Sequence, residues 1–139
     1  MIQFVLDASV ALGWFVDEPA TDLALRVRRM LRGGSRALVP FFWHLEFSNG
    51  VLVAERRKLI DRDGADRFVD EIEYLLLSVI ETRGDVVPLR DAIAASRSYR
   101  IAPYDAAYLD LARREGIPLA TLDQKLQLAA VSAGVAVIR

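Results

Sequence analysis

Ile2-Gln3-Phe4-Val5-Leu6 runs directly into Asp7-Ala8-Ser9. Four of the five leading residues are apolar, which suits a buried strand. Such a strand needs cover on both faces, and that limits the chain to a layered arrangement. A carboxylate then stands where the strand emerges, with a hydroxyl two residues on.

The same kind of stretch recurs. Ala37-Leu38-Val39 closes at Pro40, Ile117 to Leu122 ends at Asp123, and Val135 to Ile138 forms a last strand. Either Val79-Ile80-Glu81 or Val86-Val87 supplies a further extended piece. Helical spacing fills the intervals: Ser9 to Val16, Ala20 to Leu31, Phe41 to Lys58, Asp61 to Leu77, Pro88 to Tyr99, Asp105 to Glu115 and Gln124 to Ala133. Leu23, Val27, Met30 and Leu31 share one helix face. Leu45, Val51 and Leu52 suit burial in the next helix, and Phe68, Ile72, Leu75 and Leu76 in the one after. Short apolar strands separated by helices predict crossover connections and an α/β fold with a central parallel sheet. No linker or repeat divides the chain, so residues 1–139 read as one domain.

Composition narrows the chemistry. There is no cysteine, which removes disulfides, thiolate nucleophiles and cysteine zinc sites and fits a reducing cytoplasm. No apolar run approaches the ~18–20 residues of a membrane span, and no basic leader opens the chain, so neither a membrane segment nor a signal peptide is expected. Net charge is −1, unlike many nucleic-acid binders, yet the basic residues cluster. Arg26, Arg28, Arg29, Arg32 and Arg36 form one group; Arg56, Arg57 and Lys58 a second; Arg97 and Arg100 a third.

Open parallel sheets place their sites outside the carboxyl ends of strands. Asp7 and Asp123 both stand there. Glu46 shares a helix stripe with Asn49, Gly50 and Val53, small neighbours that leave room for something to approach. Asp105 opens a helix. Taken singly, Asp7, Asp105 and Asp123 are ordinary helix caps and Glu46 an ordinary surface acid. Taken together, converging acids raise one another's proton affinity and require a cation. A carboxylate-dominated site prefers Mg²⁺ or Mn²⁺. Ser9, Thr121 and Asn49 add neutral oxygens beside three of the acids.

Asp7-Ala8-Ser9 after a first strand, Glu46 within Trp43-His44-Leu45-Glu46-Phe47-Ser48-Asn49, Tyr104-Asp105-Ala106-Ala107-Tyr108, and Leu119-Ala120-Thr121-Leu122-Asp123 resemble the acidic motifs of PIN-domain proteins. Their order and the chain length are most similar to VapC toxins of type II toxin–antitoxin pairs. The resemblance spans Ile2 to Ile138. It implies a Rossmann-like α/β/α sandwich and a Mg²⁺- or Mn²⁺-dependent endoribonuclease. By that resemblance Asp7, Glu46, Asp105 and Asp123 bind metal and activate water, leaving a 5′-phosphate and a 3′-hydroxyl. Ser9, Asn49 and Thr121 support them. It further implies a VapB-like antitoxin wrapping an apolar groove, and a homodimer.

His44, the single histidine, stands two residues before Glu46 and so off its face; packing or surface placement is expected of it. Trp14, Phe15, Phe41, Phe42 and Trp43 are core candidates first; five in two segments nevertheless exceed what a small core needs there, and some suit a groove for a partner helix. The arginines are candidate phosphate contacts. Two other readings compete. A haloacid-dehalogenase-like phosphatase also uses an aspartate after its first strand, but its second aspartate is replaced here by Ser9. A PIN-like module that binds RNA or protein without cutting would not require intact acids.

Overall fold

The computed structural model describes residues 2–139. Four strands form one sheet: β1 (Gln3–Leu6), β2 (Arg36–Pro40), β3 (Ile80–Arg83) and β4 (Leu119–Ala120). Their order is β3-β2-β1-β4 and every pairing is parallel. Phe4, Val5 and Leu6 have no exposed surface, as a strand covered on both faces requires.

Helices α1 (Ala8–Gly13) and α2 (Asp22–Arg32) connect β1 to β2; α3 (Trp43–Arg56) and α4 (Arg62–Ser78) connect β2 to β3. Both connections step in the same direction across the sheet. Right-handed crossovers therefore put these four helices on one face. The connection from β3 to β4, through α5 (Leu89–Tyr99) and α6 (Pro103–Glu115), steps back past β2 and β1 and places its helices on the other face. Helix α7 (Gln124–Ser132) follows β4. The result is an α/β/α sandwich with the reversal of strand order between β1 and β4. Among the described residues no helix is long and apolar enough to cross a membrane.

Three packing expectations need correction. The last strand, Val135 to Ile138, is reduced to a single bridge between Val137 and Leu119, although Leu119 N–H donates to Ala136 and Ile138 N–H to Leu119. β4 itself is only two residues long and cannot support a longer ladder. Leu45 and Leu52 are exposed, at 72% and 51%. Trp43, Phe47, Val51 and Ala54 occupy the buried stripe of α3, so Leu45 and Leu52, seven apart, share a different one. Finally, the space at Gly50 is filled from within. A Cβ there would lie 2.4 Å from a methyl carbon of Leu12, so the glycine admits α1 and not a ligand.

Candidate active site

β1 ends at Leu6 and Asp7 follows, only 7% exposed. Its backbone occupies the N-cap position of α1, but its side chain makes no capping bond. Instead Ser9 Oγ donates to Asp7 Oδ2 at 2.8 Å and Thr121 Oγ1 donates to the same oxygen at 2.6 Å. Neither reaches Oδ1. Ser9 Oγ also accepts from Leu122 N–H at 3.1 Å, and Thr121 Oγ1 from Asp123 N–H at 3.0 Å. These bonds lock the exits of β1 and β4 together at the switch in strand order, where open parallel sheets build their sites.

Asp123 is exposed and caps α7, accepting from Lys125 N–H at 2.9 Å. Asp105 is not a cap: Ala102 holds that position and Asp105 is the third residue of α6. There it still meets the positive end of the helix dipole. Glu46 projects from the first turn of α3 and accepts a short hydrogen bond from the Tyr108 hydroxyl. Tyr108 is wholly buried, one turn after Asp105 on α6. Sequence reasoning missed it. Its signal was the spacing Asp105–Tyr108, three residues apart on one helix face.

Asp7, Glu46 and Asp105 are each shifted in part by their acidic neighbours. Burial pushes the Asp7 carboxyl up, opposed by the Thr121 and Ser9 hydrogen bonds and reinforced by Asp123. Burial likewise raises Glu46, opposed by the Tyr108 bond and reinforced by Asp7 and Asp105. Asp105 is pushed up to about 6 by burial, then by Asp7 and Asp123. The Tyr108 hydroxyl is raised by burial and by the negative charge of Asp7 and Glu46, so it remains a donor. Among the described residues none of the four acids has an ion-pair partner; the arginines at ion-pair distance are committed to Glu71, Glu81, Asp85, Asp110 and Glu115.

Uncompensated, mutually repelling carboxylates of this kind suit a hard, oxygen-seeking divalent cation. The described residues contain no tight group of three ligating side chains, so the acids form an open basin and not a closed cage. Mg²⁺ fits such a basin because it keeps several of its own waters and needs few direct carboxylates. The only imidazole is elsewhere: exposed His44 shares a 2.8 Å hydrogen bond with Thr82. Asn49 is exposed and makes no side-chain hydrogen bond among the described residues, so the network that gathers Ser9 and Thr121 does not include it.

The arginine clusters divide by topology. Arg36 pairs with Gln3 at the amino edge of the sheet, opposite the acids, and Arg32 lies just before it. Arg28 is held by Glu71 and packs over the Trp14 and Phe15 rings at 5.9 and 5.2 Å. Arg97 and Arg100 are exposed at the junction that leads into α6, the helix carrying Asp105.

The fold has clear relatives. Ribonuclease VapC3 of Pyrobaculum aerophilum is 29% identical over 127 residues, covering 90% of this chain and 92% of that protein. The crystal structure of PAE2754 from Pyrobaculum aerophilum superposes with a TM-score of 0.66 at 19% identity, covering 92% of this chain and 84% of the other. That of FitAcB from Neisseria gonorrhoeae superposes with a TM-score of 0.62 at 18% identity, covering 100% and 97%. At those identities the two structures speak to the fold alone. The sequence model of the PIN domain matches residues 4–132, nearly the whole chain. With an all-parallel sheet of order β3-β2-β1-β4 and acids gathered at its switch point, the chain belongs to the PIN domain family.

Proposed function

We propose that this protein is a divalent-metal-dependent endoribonuclease, the toxin component of a VapBC-type toxin–antitoxin pair, acting in the cytoplasm. The observation that carries the reading is the basin. Burial and acidic neighbours raise the proton affinity of Asp7, Glu46 and Asp105, and Asp123 adds its charge to that of Asp7 and Asp105. Among the described residues none of the four has an ion-pair partner. Membership of the PIN family and the likeness to Ribonuclease VapC3 support it.

In this reading the four acids hold Mg²⁺ or Mn²⁺. The bound ion supplies a Lewis acid that lowers the proton affinity of its water and offsets charge developing on the phosphate. The chain supplies position. Ser9 and Thr121 fix Asp7 through Oδ2 and leave Oδ1 without a side-chain partner. Tyr108 fixes Glu46. Asp105 is half-buried beside them; its metal-free carboxyl is pushed up to about 6 by burial, then by Asp7 and Asp123, and a bound cation would return it to the ionised form that ligates. Exposed Arg97 and Arg100 hold the RNA backbone through its phosphates. No side-chain nucleophile is needed, and Asp7 is too enclosed to serve as one.

Antitoxin binding and dimerisation belong to the same reading. Leu45 on α3, with Tyr74 and Leu77 on α4, offers exposed apolar surface for a VapB-like partner or a second copy. The likeness to Ribonuclease VapC3 is the support for an antitoxin.

The test is cleavage of single-stranded RNA by the purified protein with Mg²⁺ or Mn²⁺, against the same reaction with chelator and with Asp7→Asn. Metal-dependent cutting that Asp7→Asn abolishes is expected. Equal metal-dependent cutting by the variant would remove the assignment.

A further inference from the structure

We propose that an aromatic pocket beside the acids takes one nucleobase of the RNA and sets the base preference of cleavage; the proposal rests on the ribonuclease reading above. The pocket has a volume of about 250 Å³ and lies between the ends of β2 and β3 and the start of α6. Phe42 stands edge-on to Phe41 at 5.7 Å and to Tyr104 at 5.5 Å. Phe41 and Tyr104 remain 56% and 61% exposed. Perpendicular packing against a common ring leaves two aromatic walls open to a flat occupant, and every base has a π-face to stack on them.

Charge argues for a base and against a phosphate. Two arginines line the pocket, but both are neutralised. Arg83 pairs with Glu81 and Glu115, and Arg114 with Asp85 and Asp110. What remains at the rim is a carboxylate and a guanidinium in one ion pair, Asp85 to Arg114 at 3.1 Å, able to accept from and donate to a base edge.

Position argues for a base of the cleaved strand. Tyr104 immediately precedes Asp105. Phe42 packs edge-on against Tyr108 at 5.7 Å, and Tyr108 holds Glu46. Pocket and basin therefore share a wall. A base in the pocket is tied by its own backbone to a phosphate at the acids, whereas a protein side chain placed there gains nothing from that proximity.

The experiment uses single-stranded RNA oligonucleotides carrying one 2-aminopurine, moved a position at a time. Binding is read in Ca²⁺, which neutralises carboxylates through oxygen coordination, and cleavage is mapped in parallel in Mn²⁺. The full chain is compared with Phe41→Ala, Tyr104→Ala and Tyr104→Phe, each checked for an unchanged melting temperature. In the unaltered protein one register should be quenched. Phe41→Ala and Tyr104→Ala should abolish that quench and raise KM roughly tenfold, a loss within the range of base–aromatic stacking. They should leave kcat within about twofold, as expected when binding is lost equally in ground and transition states. They should also flatten base preference at that position, while Tyr104→Phe keeps the quench. The proposal is overturned if no register quenches, or if both alanine variants bind and cut RNA as the unaltered protein does. Alanine variants that lose a partner protein while handling RNA normally overturn it equally. Quenching without cutting would leave the pocket standing and remove the ribonuclease reading; cutting without quenching would do the reverse.

Discussion

Thr121 Oγ1 donates to Asp7 Oδ2 at 2.6 Å across 114 residues of sequence, and the same hydroxyl accepts from the backbone N–H of Asp123 at 3.0 Å. One buried hydroxyl thus sets two acids at once. It also ties the segment leaving β1 to the segment leaving β4 where the order of strands reverses, so the placement of these two acids follows from the pairing of those strands.

Thr121→Val keeps the shape and removes the hydroxyl. RNA cleavage should fall roughly 10- to 100-fold, the usual cost of losing a group that orients a metal ligand. Stability should fall by about 1–3 kcal/mol, because Asp7 loses a donor it cannot replace from water. Thr121→Ser should recover most of both. Cleavage rates and urea unfolding of the three proteins check this.

Tyr108→Phe isolates the second support. The ring packs as before and only the bond to Glu46 is lost. The expected result is a rise in the Mn²⁺ concentration needed for half-maximal cleavage, by about tenfold. A melting temperature within a few degrees of the original would separate this from a folding defect.

Much of this frame was legible in the sequence, for identifiable reasons. β1 was readable because Phe4, Val5 and Leu6 are consecutive apolar residues and carry no alternation. That Asp7 and Asp123 each follow a strand was readable from the apolar runs before them. The bond from Thr121 to Asp7 was not, because the sequence sets Thr121 beside Asp123 and only the pairing of β1 with β4 brings it to Asp7. Tyr108 was not, because a buried tyrosine on a helix looks like core until the acid opposite its hydroxyl is known. Gly50 misled because a gap beside an acid does not say what fills it; Leu12 does. Asn49 shares a helix with Glu46 but remains exposed, since a three-residue spacing fixes a stripe and not what that stripe faces. The choice between Val79–Glu81 and Val86–Val87 for the third strand depended on pairing with β2, a contact between residues some 43 apart, such as Ala37 and Ile80.

Asp7→Asn removes charge from a buried position that already favours the neutral form. Without metal the variant should melt a few degrees higher than the original protein. On adding Mn²⁺ the order should reverse, since only the unaltered chain gains stability by binding the ion. Thermal melts with and without Mn²⁺ decide it; an unchanged metal response in the variant would remove Asp7 from the ligand set.

Asp105 gives the metal-free protein a defined pH dependence. Its carboxyl is pushed up to about 6 in the fold from an ordinary 3.8. Between those values the unfolded chain has lost the proton that the folded chain keeps. The contribution of Asp105 to stability is therefore fully present below about 4 and is lost as pH rises through 6. Asp7 and Glu46 are shifted in the same direction. In chelator, the melting temperature of the unaltered protein minus that of Asp105→Asn should drop by roughly 3–6 °C between pH 4 and 6.5. Saturating Mn²⁺ should abolish the drop.

The most direct measurement is a calorimetric titration of Mn²⁺ into the full chain and into Asp7→Asn, Glu46→Gln, Asp105→Asn, Asp123→Asn and Asp110→Asn. Asp110 is the control: it lies on the same helix as Asp105 but is paired with Arg114 at 2.7 Å. Each of the first four variants should lose about tenfold or more in Mn²⁺ affinity, the scale of a lost carboxylate ligand or its support, while Asp110→Asn binds as the unaltered chain does. Wild-type affinity in any of the four, or equal loss in Asp110→Asn, would contradict a single metal site built from Asp7, Glu46, Asp105 and Asp123.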